Sequence, residues 1–325
     1  MSYFECKSPL ASTDMDKIPG PILVLGAGGF VGERLVKRLR SERDDVYGTF
    51  HANLSQAKNA FGRFIPGNIS CDLLTGARAV IEQVRPRTIF DMVAYGGYLA
   101  QKDVARIYQT NVALKAQLLE LAAEYKIGYI HAGSSSEYGD ILDAPREDIA
   151  LKPYTHYAVA KGAAAGLIHY FGRHRDLRCA NLRLYAVYGP GEPVQDRFIP
   201  QLILQGLKRE YPPFVPAMVT RDFIYVEDVC DAFIQAAIRL DPEYYGHSFN
   251  IGTGEATSIG TMAHLAKVMF NIPREPVFGE PAREYDLKGK WCANTEKVKD
   301  VLGWRATTPL YDGLRETIGW YQCQK

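Results

Sequence analysis

Through the first half of the chain, short apolar runs alternate with stretches whose apolar residues recur at helical spacing. Ile22–Leu25 is an unbroken apolar run of strand length, and Glu33–Arg40 puts Leu35, Val36 and Leu39 on one helical face. The same reading gives strands at Val46–Phe50, Thr88–Val93, Gly128–His131 and Ala180–Leu184. Helices are predicted at Ala77–Val84, Ile107–Tyr125 and Tyr157–His174. Strands separated by helices predict a parallel sheet covered on both faces, a doubly wound α/β architecture. Ligands of such sheets sit beyond the carboxyl ends of the strands.

From about Tyr188 the pattern changes. Gly189, Pro190, Gly191 and Pro193 make one loop, and Tyr211–Pro216 makes another. Helices resume at Arg197–Lys208 and Val226–Leu240, and Phe249–Gly254 reads as a strand ending in a turn. The expected organisation is a loose arm over 1–17, a dinucleotide-binding domain over 18–188, and a smaller substrate-binding region over 189–325. That last region is expected to be partly threaded back into the sheet.

The dinucleotide reading comes from the first strand–helix junction. Gly26, Gly29 and Gly32 stand between the apolar run and the helix. Glycines there let the backbone approach a pyrophosphate, and the free N–H groups and dipole of the helix N-terminus favour negative charge.

Composition narrows the partners. The 325 residues are 47% hydrophobic and 23% charged, with net charge +1, so no basic field argues for nucleic acid or anionic lipid. No apolar run reaches the length of a membrane span. Met1–Lys17 lacks the apolar core of a secretory signal, so a cytoplasmic protein is expected. The six cysteines form no Cys-x-x-Cys and gather no histidines, so free thiols and no metal are expected.

Two motifs carry chemistry. Tyr157 and Lys161 stand four apart on a predicted helix, hence on one face. A neighbouring ammonium favours the phenolate, and Lys161 together with the positive ring of an oxidised nicotinamide is expected to lower the phenol below its usual value of about 10. Tyr3 and Lys7, and Tyr321 and Lys325, have the same spacing, but only Tyr157 lies on a long helix after a strand-end site. The run from His131 to Gly139 brings Ser134, Ser135 and Ser136 to a strand end, where a hydroxyl can polarise a substrate carbonyl.

Together these pieces resemble the extended short-chain dehydrogenases/reductases of the NAD-dependent epimerase/dehydratase type. The matching motifs are Gly26-x-x-Gly-Phe-x-Gly32, Cys71-Asp-Leu73, Asn111, the Ser134 segment, Tyr157-x-x-x-Lys161 and Tyr188-Gly-Pro-Gly191. They continue with Arg197-Phe-Ile-Pro200, Arg221-Asp-Phe-Ile-Tyr-Val-Glu-Asp228, Asn250-Ile-Gly-Thr-Gly254 and Leu302-Gly-Trp304. The resemblance implies a Rossmann-type fold, a nucleotide-diphosphate sugar as substrate and a homodimer paired through helices near 100–125 and 155–175. It implies that Gly26, Gly29, Phe30, Val31 and Gly32 lie along the pyrophosphate. Asp72 and Leu73 would meet the adenine, and Val93, Ala94, Tyr95 and Asn111 would border the cofactor. Ser134 and Tyr157 take the catalytic places and Lys161 holds the nicotinamide ribose. Ser134, Ser135, Tyr185, Arg197 and Arg221 are the implied substrate contacts, with the two arginines clamping the diphosphate. The alternative for Arg221 is an ion pair with Asp222.

Departures from that pattern refine the expectation. Related dehydratases place an acid pair after the catalytic hydroxyl; this chain has Ser135 and Ser136, and Glu137 serves only if the loop shifts by one. The second strand ends without an acid for the adenosine ribose, while His51 and Asn53 stand just beyond it and Asp44 and Asp45 at its other end. NADP(H) is therefore the favoured cofactor, with NAD(H) the alternative. Ala186 replaces an asparagine that touches substrate phosphate in many relatives, and Gly191 replaces a histidine used in combined reduction and epimerisation. The leading expectation is reduction of a 4-keto nucleotide sugar with Tyr157 as proton donor. A C4 epimerase with tightly held NAD is the alternative; a 4,6-dehydratase and a non-catalytic nucleotide sensor are lesser ones. The loops around Tyr95–Gln101, His156 and Tyr185–Phe198 are expected to choose the sugar.

Overall fold

The computed structural model describes residues 12–50, 68–140, 143–194, 197–282, 284–287 and 289–324. Strands β1 (Ile22–Leu25), β2 (Val46–Phe50), β3 (Asn68–Ser70), β4 (Thr88–Asp91), β5 (Gly128–Ser134) and β6 (Cys179–Leu184) follow in chain order. Short strands β7 (Ala186–Tyr188), β8 (Thr220–Arg221) and β9 (Phe223–Tyr225) precede β10 (Ser248–Ile251) and β11 (Thr257–Ser258). Seven of them form one sheet in the order β10-β6-β5-β4-β1-β2-β3, every pairing parallel. The order reverses between β1 and β4, which opens a crevice at the carboxyl ends of those two strands.

Both faces of the sheet are buried, and side chains alternate between them. Ile22 and Val24 enter a core with α1 (Phe30–Arg40) and α7 (Val226–Arg239). Leu23 and Leu25 enter the opposite core with α2 (Leu73–Val84), α4 (Leu114–Tyr125) and α5 (His156–His174). A third core joins α6 (Phe198–Gly206), α8 (Ile259–Phe270) and α10 (Leu310–Cys323) to β9 and Tyr188. It is the cover over the strand tips. Helices α3 (Val104–Tyr108) and α9 (Glu296–Leu302) complete the set among the described residues.

Several expectations need correction. The helix expected over Ile107–Tyr125 is three joined pieces, because the turn Gln109–Ala113 is wound as a π-helix between α3 and α4. The third predicted strand stops at Asp91, whose carboxylate accepts the Val93 N–H at 3.1 Å and bends the chain out of the sheet. The helix expected at Ala77 starts four residues earlier, at Leu73, because Asp72 caps it by accepting the Leu74 N–H at 3.0 Å. Residues 12–17 are not a loose arm. They wind into a single 3₁₀ segment, Met15 and Ile18 are buried in the first core, and Arg43 donates to both their carbonyls at 2.8 and 2.9 Å. Residues 1–11 lie outside the described residues. Strand β3 and helices α8, α9 and α10 were absent from the sequence reading.

Among the described residues no helix is long and apolar enough to cross a membrane, and no group of His, Cys, Asp and Glu could hold a metal ion. Cys71, Cys179, Cys230, Cys292 and Cys323 are free thiols.

Candidate active site

At the β1–β4 crevice lies a cavity of about 370 Å³, lined by Gly26, Gly28, Gly29, Asp72, Leu73, Val93, Ala94 and Tyr95 among others. Two glycines make it. Gly26 has φ +75°, a left-handed conformation that turns the chain off β1. A Cβ on Gly32 would stand 2.3 Å from the Gly26 carbonyl oxygen, so only glycine lets α1 start this close to the strand. Gly29, the N-cap of α1, offers no side-chain cap, which leaves the first N–H groups of the helix available to an anion. Phe30 and Val31 pack their side chains into the covering core, and neither lines the cavity. A dinucleotide fits these residues: an apolar slot for the adenine beside Leu73 and an uncapped helix N-terminus for the pyrophosphate. His51 and Asn53, on which the NADP(H) preference rests, lie outside the described residues. Asp45, at the other end of β2, is engaged by Arg43 at 2.7 Å.

The Tyr95 loop is held from behind. Asn111 is fully buried; its Oδ1 accepts the Tyr95 N–H at 3.2 Å and its Nδ2 donates to the Tyr95 carbonyl at 2.6 Å. Both polar atoms of Asn111 are thus engaged by the chain itself, and it shapes the cofactor's border rather than lining the cavity. Gln101 accepts the Gly96 N–H at 2.8 Å, and Arg106 stacks 4.5 Å above the Tyr95 ring.

The serine segment, Tyr157 and Lys161 meet at the tip of β5. The Ser134 hydroxyl stands close enough to the Tyr157 phenol to favour its phenolate, and its oxygen accepts the Ser136 N–H at 3.1 Å. Ser135 is buried in the short 3₁₀ turn that follows. Glu137 closes that turn by accepting the Ser134 N–H at 2.8 Å, and it is fully buried against Arg183 at 2.7 Å and the Asn181 amide. Lys161 donates to the Ala132 carbonyl at 2.7 Å, and its ammonium is 5.9 Å from the centre of the Tyr157 ring.

The protein alone does not lower the Tyr157 phenol, for which the expectation counted on Lys161 together with a nicotinamide ring. Burial pushes the Tyr157 phenol up to about 12, outweighing Ser134 and the nearby Arg197, which both favour the phenolate. Lys161 is not among the groups that lower it, because the ammonium is held on the strand side of the helix. Lys161 is itself shifted down by burial, against the pull of Asp91 and Glu137.

The other substrate candidates separate. Arg197 stands at the N-cap position of α6 without capping it, stacks 4.7 Å from the Tyr98 ring and lies near Tyr157. Arg221 pairs with Asp286 at 2.8 Å and not with Asp222. Asp222 instead accepts the N–H groups of Thr253, Gly254 and Ala293. Among the described residues the buried Tyr185 hydroxyl has no hydrogen-bond partner. Glu192, absent from the sequence reading, is buried near Arg197, and burial raises its carboxyl to about 8. A glutamate inside a Gly-Pro loop carries no signal of burial, since such loops are ordinarily solvated.

Comparison with known proteins agrees with this geometry. The family model "NAD dependent epimerase/dehydratase family" matches residues 22–252. The UDP-glucose 4-epimerase of Mycolicibacterium smegmatis is 29% identical over 317 residues, spanning 92% of this chain and 98% of that protein. The structure of MoeE5 in complex with UDP-glucose and NAD aligns with a TM-score of 0.79 at 28% identity, over 94% of this chain and 99% of that one. The UDP-glucose 4-epimerase of Thermotoga maritima, solved with UDP-glucose, gives 0.81 at 25% identity, over 93% and 99%.

Proposed function

Because the chain belongs to the NAD-dependent epimerase/dehydratase family, we propose that it inverts C4 of a nucleotide-diphosphate sugar, working with a retained NAD. The observation that supports this most is the acid–base inventory at the tip of β5. Ser134 and Tyr157 stand as neighbouring hydroxyls, while Glu137 commits its carboxylate to Ser134, Asn181 and Arg183. Elimination of water from a keto sugar needs a further acid beside that pair. Oxidation and re-reduction at a single carbon do not.

In this reading Tyr157 takes the C4 hydroxyl proton and later returns it, and Ser134 bonds the C4 oxygen throughout. Bound NAD supplies a hydride acceptor and a positive ring, whose field favours the phenolate that burial otherwise opposes. Lys161 holds the nicotinamide ribose, and Arg197 and Arg221 meet the diphosphate, a bidentate task suited to guanidinium. Arg221 must share itself with Asp286 or leave it. The substrate class and NAD follow the two 4-epimerases and the MoeE5 complex. The reductase expectation, with a dissociable NADP(H), has no comparable support. Exposed Val104, Tyr125, Val159 and Tyr170 on α3, α4 and α5 favour pairing of two copies through those helices.

Protein purified without added cofactor should carry about one NAD per chain and interconvert C4-epimeric nucleotide hexoses or hexuronates with no net change in nicotinamide. Tyr157→Phe should keep its NAD and lose about 10²–10⁴-fold in turnover. Steady consumption of NADPH with a 4-keto nucleotide sugar would instead establish the reductase.

A further inference from the structure

Beneath the Tyr157 site Lys161 joins a buried polar cluster whose other members have no role in the chemistry described above. Asp91 on β4, Lys115 on α4, Tyr129 and His131 on β5, and Lys161 on α5 are each at most 1% exposed. Lys115 reaches both Asp91 oxygens, at 2.9 and 2.7 Å, and the Val93 carbonyl at 2.8 Å. The Tyr129 hydroxyl donates to Asp91 Oδ2 at 2.5 Å. His131 Nδ1 lies 2.8 Å from the same oxygen, and its Nε2 lies 3.5 Å from Lys161 Nζ, the outer edge of a hydrogen bond.

These contacts determine the imidazole. Burial opposes the charge on Asp91, but Lys115 and His131 outweigh it and hold the carboxyl well below its ordinary range. An ionised carboxylate only accepts, so Nδ1 carries the proton and Nε2 presents a lone pair to Lys161. Burial, then Lys161 and Lys115, push the second protonation of His131 down to about 4. Lys115 matches the charge of Asp91, so among the described residues Lys161 has no carboxylate of its own in contact. Two of its three N–H groups have acceptors in Ala132 and His131; the third is left for a ligand.

We propose that Asp91 and His131 are positioning residues for Lys161: the carboxylate orients the imidazole, the imidazole and the Ala132 carbonyl hold the ammonium, and Lys115 keeps Asp91 from capturing it. This rests on the reading of Lys161 as the group that holds the nicotinamide ribose. A lysine paired directly with Asp91 would be drawn away from the cleft. One held by a neutral imidazole keeps its charge and a free donor at the cofactor. The groups facing Lys161 are Asp91 from β4, Lys115 from α4, His131 with Tyr129 from β5, and Glu137 from the turn after β5 at longer range.

The unmodified protein supplies the first test. With ¹⁵N-labelled histidine, NMR should find the His131 ring protonated at Nδ1 and bare at Nε2 from about pH 6 to 9, across the ordinary titration range. Lys161→Met should move the Nε2 resonance. Protonation at Nε2, or titration near the ordinary histidine value, overturns the proposal. The second test uses His131→Phe, which keeps a ring beside Tyr129 but removes the acceptor. NAD affinity should fall about tenfold, and the alkaline limb of kcat should move down by about one pH unit, because the ammonium loses an acceptor. His131→Gln, whose amide oxygen can replace Nε2, should restore most of both. A shared loss of Tm with unchanged NAD affinity and pH limb would leave only a packing role and reject the proposal. Wild-type protein that binds no dinucleotide would reject the functional reading, and with it the use of the held ammonium. Intact NAD binding with an Nε2-protonated ring rejects this inference alone.

Discussion

The crevice at β1 and β4 and the region around β8–β11, proposed above to receive the sugar, are built by different means. Around β1 and β4 the site is backbone: a left-handed Gly26, a Gly32 that admits the helix, an uncapped α1 and a Tyr95 loop held by Asn111. Around β8–β11 the site is a set of side-chain clamps. Asp222 ties down the loops at Thr253, Gly254 and Ala293, and Asp228 accepts the N–H groups of Thr307 and Thr308 at 3.2 and 3.0 Å. Backbone sites are intolerant of added atoms; clamped sites are intolerant of lost carboxylates. A cofactor common to many reactions suits the first construction. A cover whose loops can vary around a few anchors suits the second.

That contrast can be broken or sharpened by substitution. The largest stability effect is expected from Asp222→Ala, which strips acceptors from three N–H groups and should cost roughly 3–5 kcal/mol by denaturant unfolding. NAD affinity should survive it while KM for the nucleotide sugar rises; equal damage to both would erase the distinction between the two regions. Gly32→Ala should show the reverse. A methyl would meet the Gly26 carbonyl, so roughly 1–3 kcal/mol is lost and NAD binding, followed by titration, weakens at least about tenfold. Normal affinity in that variant would mean that α1 can retreat without disturbing the site.

The smallest effect has the opposite sign. The folded protein favours the protonated Glu192, whose carboxyl is raised to about 8 by burial. Its contribution to stability is therefore full below the ordinary carboxylate value and is lost as pH rises toward 8. Glu192→Gln should be more stable than the parent by roughly 1–2 kcal/mol near pH 8, and indistinguishable near pH 4. The gain is modest because the amide is also short of partners. A gap that does not close on acidification would show that Glu192 stays ionised through Arg197.

The sequence by itself determined the parallel sheet, the glycine bend and the pairing of Tyr157 with a strand-end serine. The sheet shows in the alternation of apolar runs with helical spacing, the bend in glycine spacing, and the last in two short motifs at the ends of neighbouring elements. Tertiary structure alone decided which charges face one another. Asp91, Lys115 and His131 stand far apart in the chain, in segments that read as apolar strand or helix, and only the sheet brings them to one point. It also decided that Arg221 meets Asp286 rather than its neighbour Asp222, and that Lys161 turns to the Ala132 carbonyl while burial raises the phenol of Tyr157. Desolvation and long-range ion pairing depend on what packs around a group, and spacing along a chain holds no record of that.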